Sequence, residues 1–233
     1  MKIKHILITS LLGLCASGAA AETISVKITN LTQGLYFTPL LVAAHSESAH
    51  LFEVGSEASE QLQAMAEGGD ISGLATLASS VGAVSSENPA GGLLTPGAST
   101  MVMDWDTGSN DRLSIVAMLL PTNDGFVGLD SWTIPSEAGT YTIMLNGYDA
   151  GTEANNELVV EGSGAPGMLG IPANPGGNSG SDGTGVTTEE GNSTVHIHRG
   201  TLGDAMESGG TSDLNSSIHR WLNPVAKVVI TVQ

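Results

Sequence analysis

Cysteine is nearly absent from this chain: the one residue, Cys15, falls within the first 21 positions. Those positions read as a secretory leader. Lys2 and Lys4 make a basic start, Ile6 to Leu14 an apolar centre, and Ala19-Ala20-Ala21 a small-residue cleavage site. The apolar centre is too short to span a bilayer, and no long apolar run follows. Leu14 is a poor residue ahead of a lipidated cysteine, so Cys15 is expected to leave with the leader. Residues 22–233 are then free of thiols, which excludes disulfides, cysteine-bound metals and thiol nucleophiles. Basic residues are scarce as well. Two of the seven Lys and Arg lie in the leader and none of the 24 acidic residues does, leaving 5 against 24, a formal balance of −19. Such a surface repels nucleic acid and anionic lipid, and it suits cation binding or a saline exterior.

Catalytic signatures are missing too. No G-x-S-x-G elbow, phosphate-binding loop, dinucleotide fingerprint or HExxH helix occurs, and the glycines cluster in loops with no helix behind them. The many carboxylates include no pair that spacing alone assigns to acid and base roles. Trp105, Trp132 and Trp221 suit either a sugar-stacking platform or ordinary packing. The chain therefore reads as non-enzymatic.

What is present is a succession of short strands. Thr23 to Thr29 alternates with Ile24, Val26 and Ile28 on one face, and Val228, Ile230 and Val232 do the same near the other end. Segments at Tyr36 to Ala44, Thr100 to Trp105, Arg112 to Leu120, Thr140 to Leu145 and Ser193 to Arg199 complete the set, and the first and last strands have the character to pair. Helical spacing is confined to 56–80, where Leu62, Met65, Leu74 and Leu77 recur at turn intervals; this predicts a small helical insertion over one end of the fold. From 162 to 191 the chain is Gly, Ser, Asn and Pro with few large apolar residues, the composition of a flexible loop. Without βα alternation, these elements predict an all-β, antiparallel sandwich over 22–233.

Two loops concentrate oxygen. One follows Pro121 and holds Asn123 and Asp124; the other holds Asp149, Glu153, Asn155, Asn156 and Glu157. Asn, Asp and Gly are also the residues of plain turns. Set at the ends of neighbouring strands, however, the carboxylates would repel unless a hard cation such as calcium or magnesium lay among them.

Pro121-Thr-Asn-Asp-Gly-Phe-Val-Gly128, Asp149-Ala-Gly-Thr-Glu153 and Trp221…Pro224-Val-Ala-Lys-Val-Val-Ile230 resemble the spondin (F-spondin-type) domain family, found in animal matrix proteins and in bacterial secreted proteins. The resemblance implies a C2-like β-sandwich with a Ca2+ ion at one end, held by Asp124, Asp149 and Glu153. Animal members have Asp where this chain has Glu153, and they carry cysteines that it lacks. The resemblance further implies an exported adhesion or recognition module, periplasmic or extracellular, with a protein or glycan ligand and neither nucleic acid nor membrane insertion.

His196 and His198 supply an alternative. Two apart on one strand, they face the same side, as paired copper or zinc ligands do in superoxide dismutase-like sandwiches. A third ligand is not set by spacing; His45, His50 and His219 are the candidates. The opposing reading is an outer sheet face, with Val195 and Ile197 turned to the core.

Overall fold

The computed structural model describes residues 22–189 and 191–233; the expected leader, with Cys15, lies outside these. Ten strands and two helices follow in order: β1 (Thr23–Asn30), β2 (Tyr36–Phe37), β3 (Leu41–His45), α1 (Glu60–Gly68), α2 (Ser72–Ser80), β4 (Val84–Glu87), β5 (Ser99–Asp106), β6 (Arg112–Leu120), β7 (Gly125–Thr133), β8 (Gly139–Asp149), β9 (His196–Ile197) and β10 (Ala226–Val232). All named strand pairs are antiparallel, and the path β4-β3-β6-β7-β8-β10-β1-β5 is continuous.

The long strand β8 explains how one path makes two layers. Gly139 to Leu145 pair with β10, whereas Asn146 to Asp149 pair with β7. β8 thus leaves one layer for the other part-way along its length, a corner of the kind seen where sheets pack face to face. The first layer is β5-β1-β10-β8 and the second is β8-β7-β6-β3-β4. Their inner faces close on one core, with Ile24, Val26, Ile28, Val228 and Ile230 opposite Val42, Leu113, Ile115, Ala117 and Leu119. The first and last strands do pair, Ile24 with Val232 through Asn30 with Ala226.

β1 alternates because only one of its faces is buried; Lys27 lies on the other. β6 does not alternate, since Val116, Met118 and Leu120 form a second apolar face that meets Leu62, Met65 and Leu74 of the helices. The helix pair therefore covers a sheet face and not, as its sequence position suggested, an end of the fold. Ser59 caps α1 by accepting from the Leu62 N–H at 3.1 Å, and Asp70 accepts from the Ser72 N–H at 2.9 Å as α2 begins.

The stretch 162–189 has neither strand nor helix, yet it is tied to the body by its backbone. Ile171 is fully buried and bridges Val159, the Gly180 N–H reaches Asp213 O, and the Val186 N–H reaches Asn156 O. Backbone groups do here what the missing apolar side chains cannot. Of the segment at Ser193 to Arg199, only His196 and Ile197 join the sheet.

Candidate metal centre

β7 begins where β8 ends: Gly125 pairs with Asp149. The loop entering β7 and the loop leaving β8 are consequently side by side, which brings Asp124 and Asp149 together from positions far apart in sequence. Gly151 permits the tight turn after β8. Its φ is +71°, and an added Cβ would lie 2.7 Å from the Ser193 carbonyl carbon.

Asp124 is fully buried. Its Oδ2 accepts from the Thr152 N–H at 2.8 Å, the Glu153 N–H at 3.2 Å and the Thr152 hydroxyl at 3.2 Å. Its Oδ1 is buried without a partner among the described residues. Burial first, and the neighbouring Asp149 carboxylate second, push Asp124 up to about 8 despite these donors. Asp149, 1% exposed, accepts from the Gly151 N–H at 2.9 Å and from Asn155 Nδ2 at 2.6 Å.

Glu153 is buried but differently aimed. Its Oε2 accepts from the Gly170 N–H at 3.0 Å and Asn123 Nδ2 at 3.3 Å, while Oε1 has no partner. Burial pushes this carboxyl up to about 7, and the charge that adds to the effect is Glu67. The backbone of Glu153 thus serves Asp124, and its carboxyl group turns toward Gly170. Among the described residues, no three His, Cys, Asp or Glu side chains converge as a metal-holding cluster does. What the structure does assemble is a buried Asp124–Asp149 pair with an orphaned oxygen. That donor chemistry fits a hard cation.

The histidines flank this pair. Nε2 of His196 and Nε2 of His198 each lie 3.9 Å from Asp149 Oδ2. His196 Nδ1 faces the Thr194 carbonyl at 2.8 Å, so Nδ1 holds the proton and Nε2 offers a lone pair. His198 is the reverse. Its Nδ1 accepts from the Gly200 N–H at 2.9 Å, placing the proton of the neutral ring on Nε2, and burial pushes its pKa down to about 3. His198 is also not on the outer face: it packs against Trp221, ring centroids 5.0 Å apart. Among the described residues the three other histidines lie elsewhere: His45 bonds Ser114, His50 bonds Asp130, and His219 accepts from the Asn215 N–H. Trp221 is in the core, and Trp105 and Trp132 pack against it.

Sequence reasoning singled out no role for Glu157, which pins the loops together. Its carboxylate accepts from the Leu202 N–H at 2.7 Å, the Gly203 N–H at 2.8 Å and the Ser212 hydroxyl at 2.7 Å. Its partners lie 45 to 55 residues away, beyond any spacing rule.

No curated protein matches the chain. The model of the Spondin_N family matches residues 29–158, a span from β1 through both acidic loops. That is more than half of the 233 residues, and the chain belongs to the Spondin_N family.

Proposed function

We propose that the protein is an exported, non-enzymatic recognition module whose acidic loops are ordered by calcium, bound by Asp124 and Asp149 and joined by Glu153 once its carboxylate turns from the Gly170 N–H, to engage an extracellular protein or glycan. The observation that supports this reading is Asp124: fully buried, beside a second buried carboxylate, with one oxygen unpartnered among the described residues. Two carboxylates so placed hold their full charge only with a cation between them, and oxygen donors favour calcium. Calcium takes 6–8 oxygens, so carbonyl and Asn oxygens of the loops, or water, complete what the carboxylates begin. The ion's contribution is structural, drawing the two loops into one surface. The layered sheet with these loops at one end accords with a C2-like sandwich.

Thermal melts in EDTA, in calcium and in magnesium, beside Asp149→Ala, test the site. An ion bound only by the native state adds RT ln(1 + [L]/Kd), about 2.7 kcal/mol at a hundredfold excess, or roughly 5–10 °C in Tm for a domain of this size. A rise specific to calcium and absent from Asp149→Ala is expected. No rise at millimolar calcium would overturn the reading.

A second reading places copper or zinc on His196 and His198, both 3.9 Å from Asp149. It requires His198 to release the proton that its bond from the Gly200 N–H assigns to Nε2. Stoichiometric copper or zinc in purified protein would favour this reading over calcium.

A further inference from the structure

Away from the acidic loops, the segment between β3 and α1 and the helix pair enclose a cleft of about 390 Å3. That volume lies within the range of small-molecule sites. Its floor is apolar and already buried: Leu51, Phe52, Leu62, Leu74 and Ala78 are each 7% exposed or less. The polar groups at its margin are His50, Glu53, Glu57 and several serines, and neither Lys nor Arg lines it.

His50 is held in one orientation. Its Nδ1 lies 3.0 Å from Asp130 Oδ1 and 3.0 Å from Ser131 Oγ, whose own hydroxyl donates to Ala49 O. In the neutral ring the proton therefore sits on Nδ1, and Nε2 offers the acceptor lone pair. A β-bulge makes this possible. Leu113 pairs with Trp132 and Ile115 with Leu129, so Ser114 alone faces both Asp130 and Ser131. In a regular strand those two neighbours would point to opposite faces. Here Ser131 takes φ +46°, an uncommon conformation without glycine, and both side chains reach the same imidazole.

The bulge is itself anchored. The Ser131 N–H donates to Ser114 Oγ at 2.9 Å. Ser114 donates in turn to Nε2 of His45 at 2.7 Å, because Nδ1 of His45 is committed to the Ser46 carbonyl. The braced bulge thus holds one imidazole at the edge of an apolar cleft, and strain of this kind persists only where surroundings enforce it.

We infer that this cleft binds a small monocationic amphiphile, an alkyl- or arylalkyl-ammonium. Its apolar part covers Leu51, Leu62, Leu74 and Ala78, and its ammonium group donates to His50 Nε2 at a margin that Glu53 and Glu57 also line. An anion of the same shape would meet those carboxylates with no base to pair it, so charge sets the choice of ligand.

Titration of the purified protein with 2-phenylethylamine, 2-phenylethanol and 3-phenylpropionate, followed by amide chemical shifts and calorimetry in EDTA, tests the inference without reference to calcium. The amine is expected to bind at least about tenfold more tightly than the carboxylate, with shifts at 45–59 and 72–81. Glu57→Gln is expected to weaken the amine severalfold and leave the alcohol unchanged; His50→Ala is expected to weaken both. These are surface substitutions that leave the cores intact. No binding at millimolar amine, equal binding of the carboxylate, shifts confined to the acidic loops, or unchanged affinity in both variants would each overturn it.

Discussion

Asp124→Asn separates the electrostatics of the acidic loops from their shape. The side chain keeps an oxygen for the Thr152 and Glu153 N–H groups, and it replaces the carboxylate with a neutral amide beside Asp149. In the ion-free protein Asp124 is raised from 3.8 to about 8. The native state therefore holds a proton that the unfolded chain has released, and this group costs stability at every pH above 3.8. At about 1.36 kcal/mol per unit of pKa difference, the ceiling at pH 7 is about 4 kcal/mol. Relaxation of the loops will lower that figure, and a gain of about 1–3 kcal/mol for Asp124→Asn in EDTA is the expected result. In saturating calcium the order reverses, because the wild type gains the ion's binding energy and the variant does not.

The pH dependence gives the sign independently. A carboxyl with a raised native pKa stabilises the fold as pH falls from about 8 toward 4. Urea denaturation of both proteins in EDTA across pH 5–8 is the assay. The wild type should gain on the variant as pH falls, the gap narrowing across this range and closing only near pH 4. A variant that is less stable than wild type in EDTA at pH 7, or that responds to calcium as strongly as wild type, would refute the argument that the pair lacks a cation.

Three further outcomes follow from other parts of the molecule. Glu157→Gln should lose about 2–3 kcal/mol, measured by denaturation, because it turns one acceptor oxygen into a donor facing the backbone or hydroxyl groups that now donate to it. Gly147→Ala should lose about 1–3 kcal/mol, since the new methyl would stand 2.6 Å from the Trp221 ring; a Tm within a degree of wild type would contradict it. His45, His198 and His219 are all held below the usual imidazole range by burial. The unfolded chain takes up protons below about pH 6.5 that these rings refuse, so each removes up to about 1.36 kcal/mol of stability per pH unit as pH falls. In the Asp124→Asn background, where one opposing contribution is gone, His198→Gln should flatten the acid limb of the stability curve.

What could be read in advance follows from which forces are local. β1 and β10 were legible because one buried face imposes a period of two, and their pairing follows from matched strands. β6 was legible as an apolar run, but that run does not say that its second face meets helices. β7 escaped notice: Gly125, Gly128, Asp130 and Ser131 dilute its pattern, and the bulge breaks its alternation. β4 escaped because Val84–Glu87 is a short polar edge. Loop composition and motif point to Asp124 and Asp149, which the strand pairing sets side by side. The aim of the Glu153 carboxyl is not legible in the sequence, because it depends on Gly170, whose position is set by the fold. His198 was misplaced on an outer face, since alternation predicts direction only where a strand persists, and β9 ends at Ile197.

The acidity of the chain has a structural part that composition does not disclose. Among the described residues between β8 and β10 only the two of β9 join the sheet, and few large apolar side chains are buried there, so another agent must order that length. Carboxylates fill the role as acceptors for backbone N–H groups. Asp204 takes those of Met206, Thr211 and Ser212, and Asp213 takes those of Val159 and Gly183. Glu157 takes Leu202 and Gly203, Glu153 takes Gly170, and Glu67 takes Gly167. Such charge-assisted bonds are stronger than neutral ones, and each fixes a loop residue that no core could hold. The cost is a concentration of negative charge on and beneath one end of the fold. Asp124 and Asp149 are where two carboxyl groups are buried side by side, so a cation there would relieve repulsion created by the same chemistry that orders the loops.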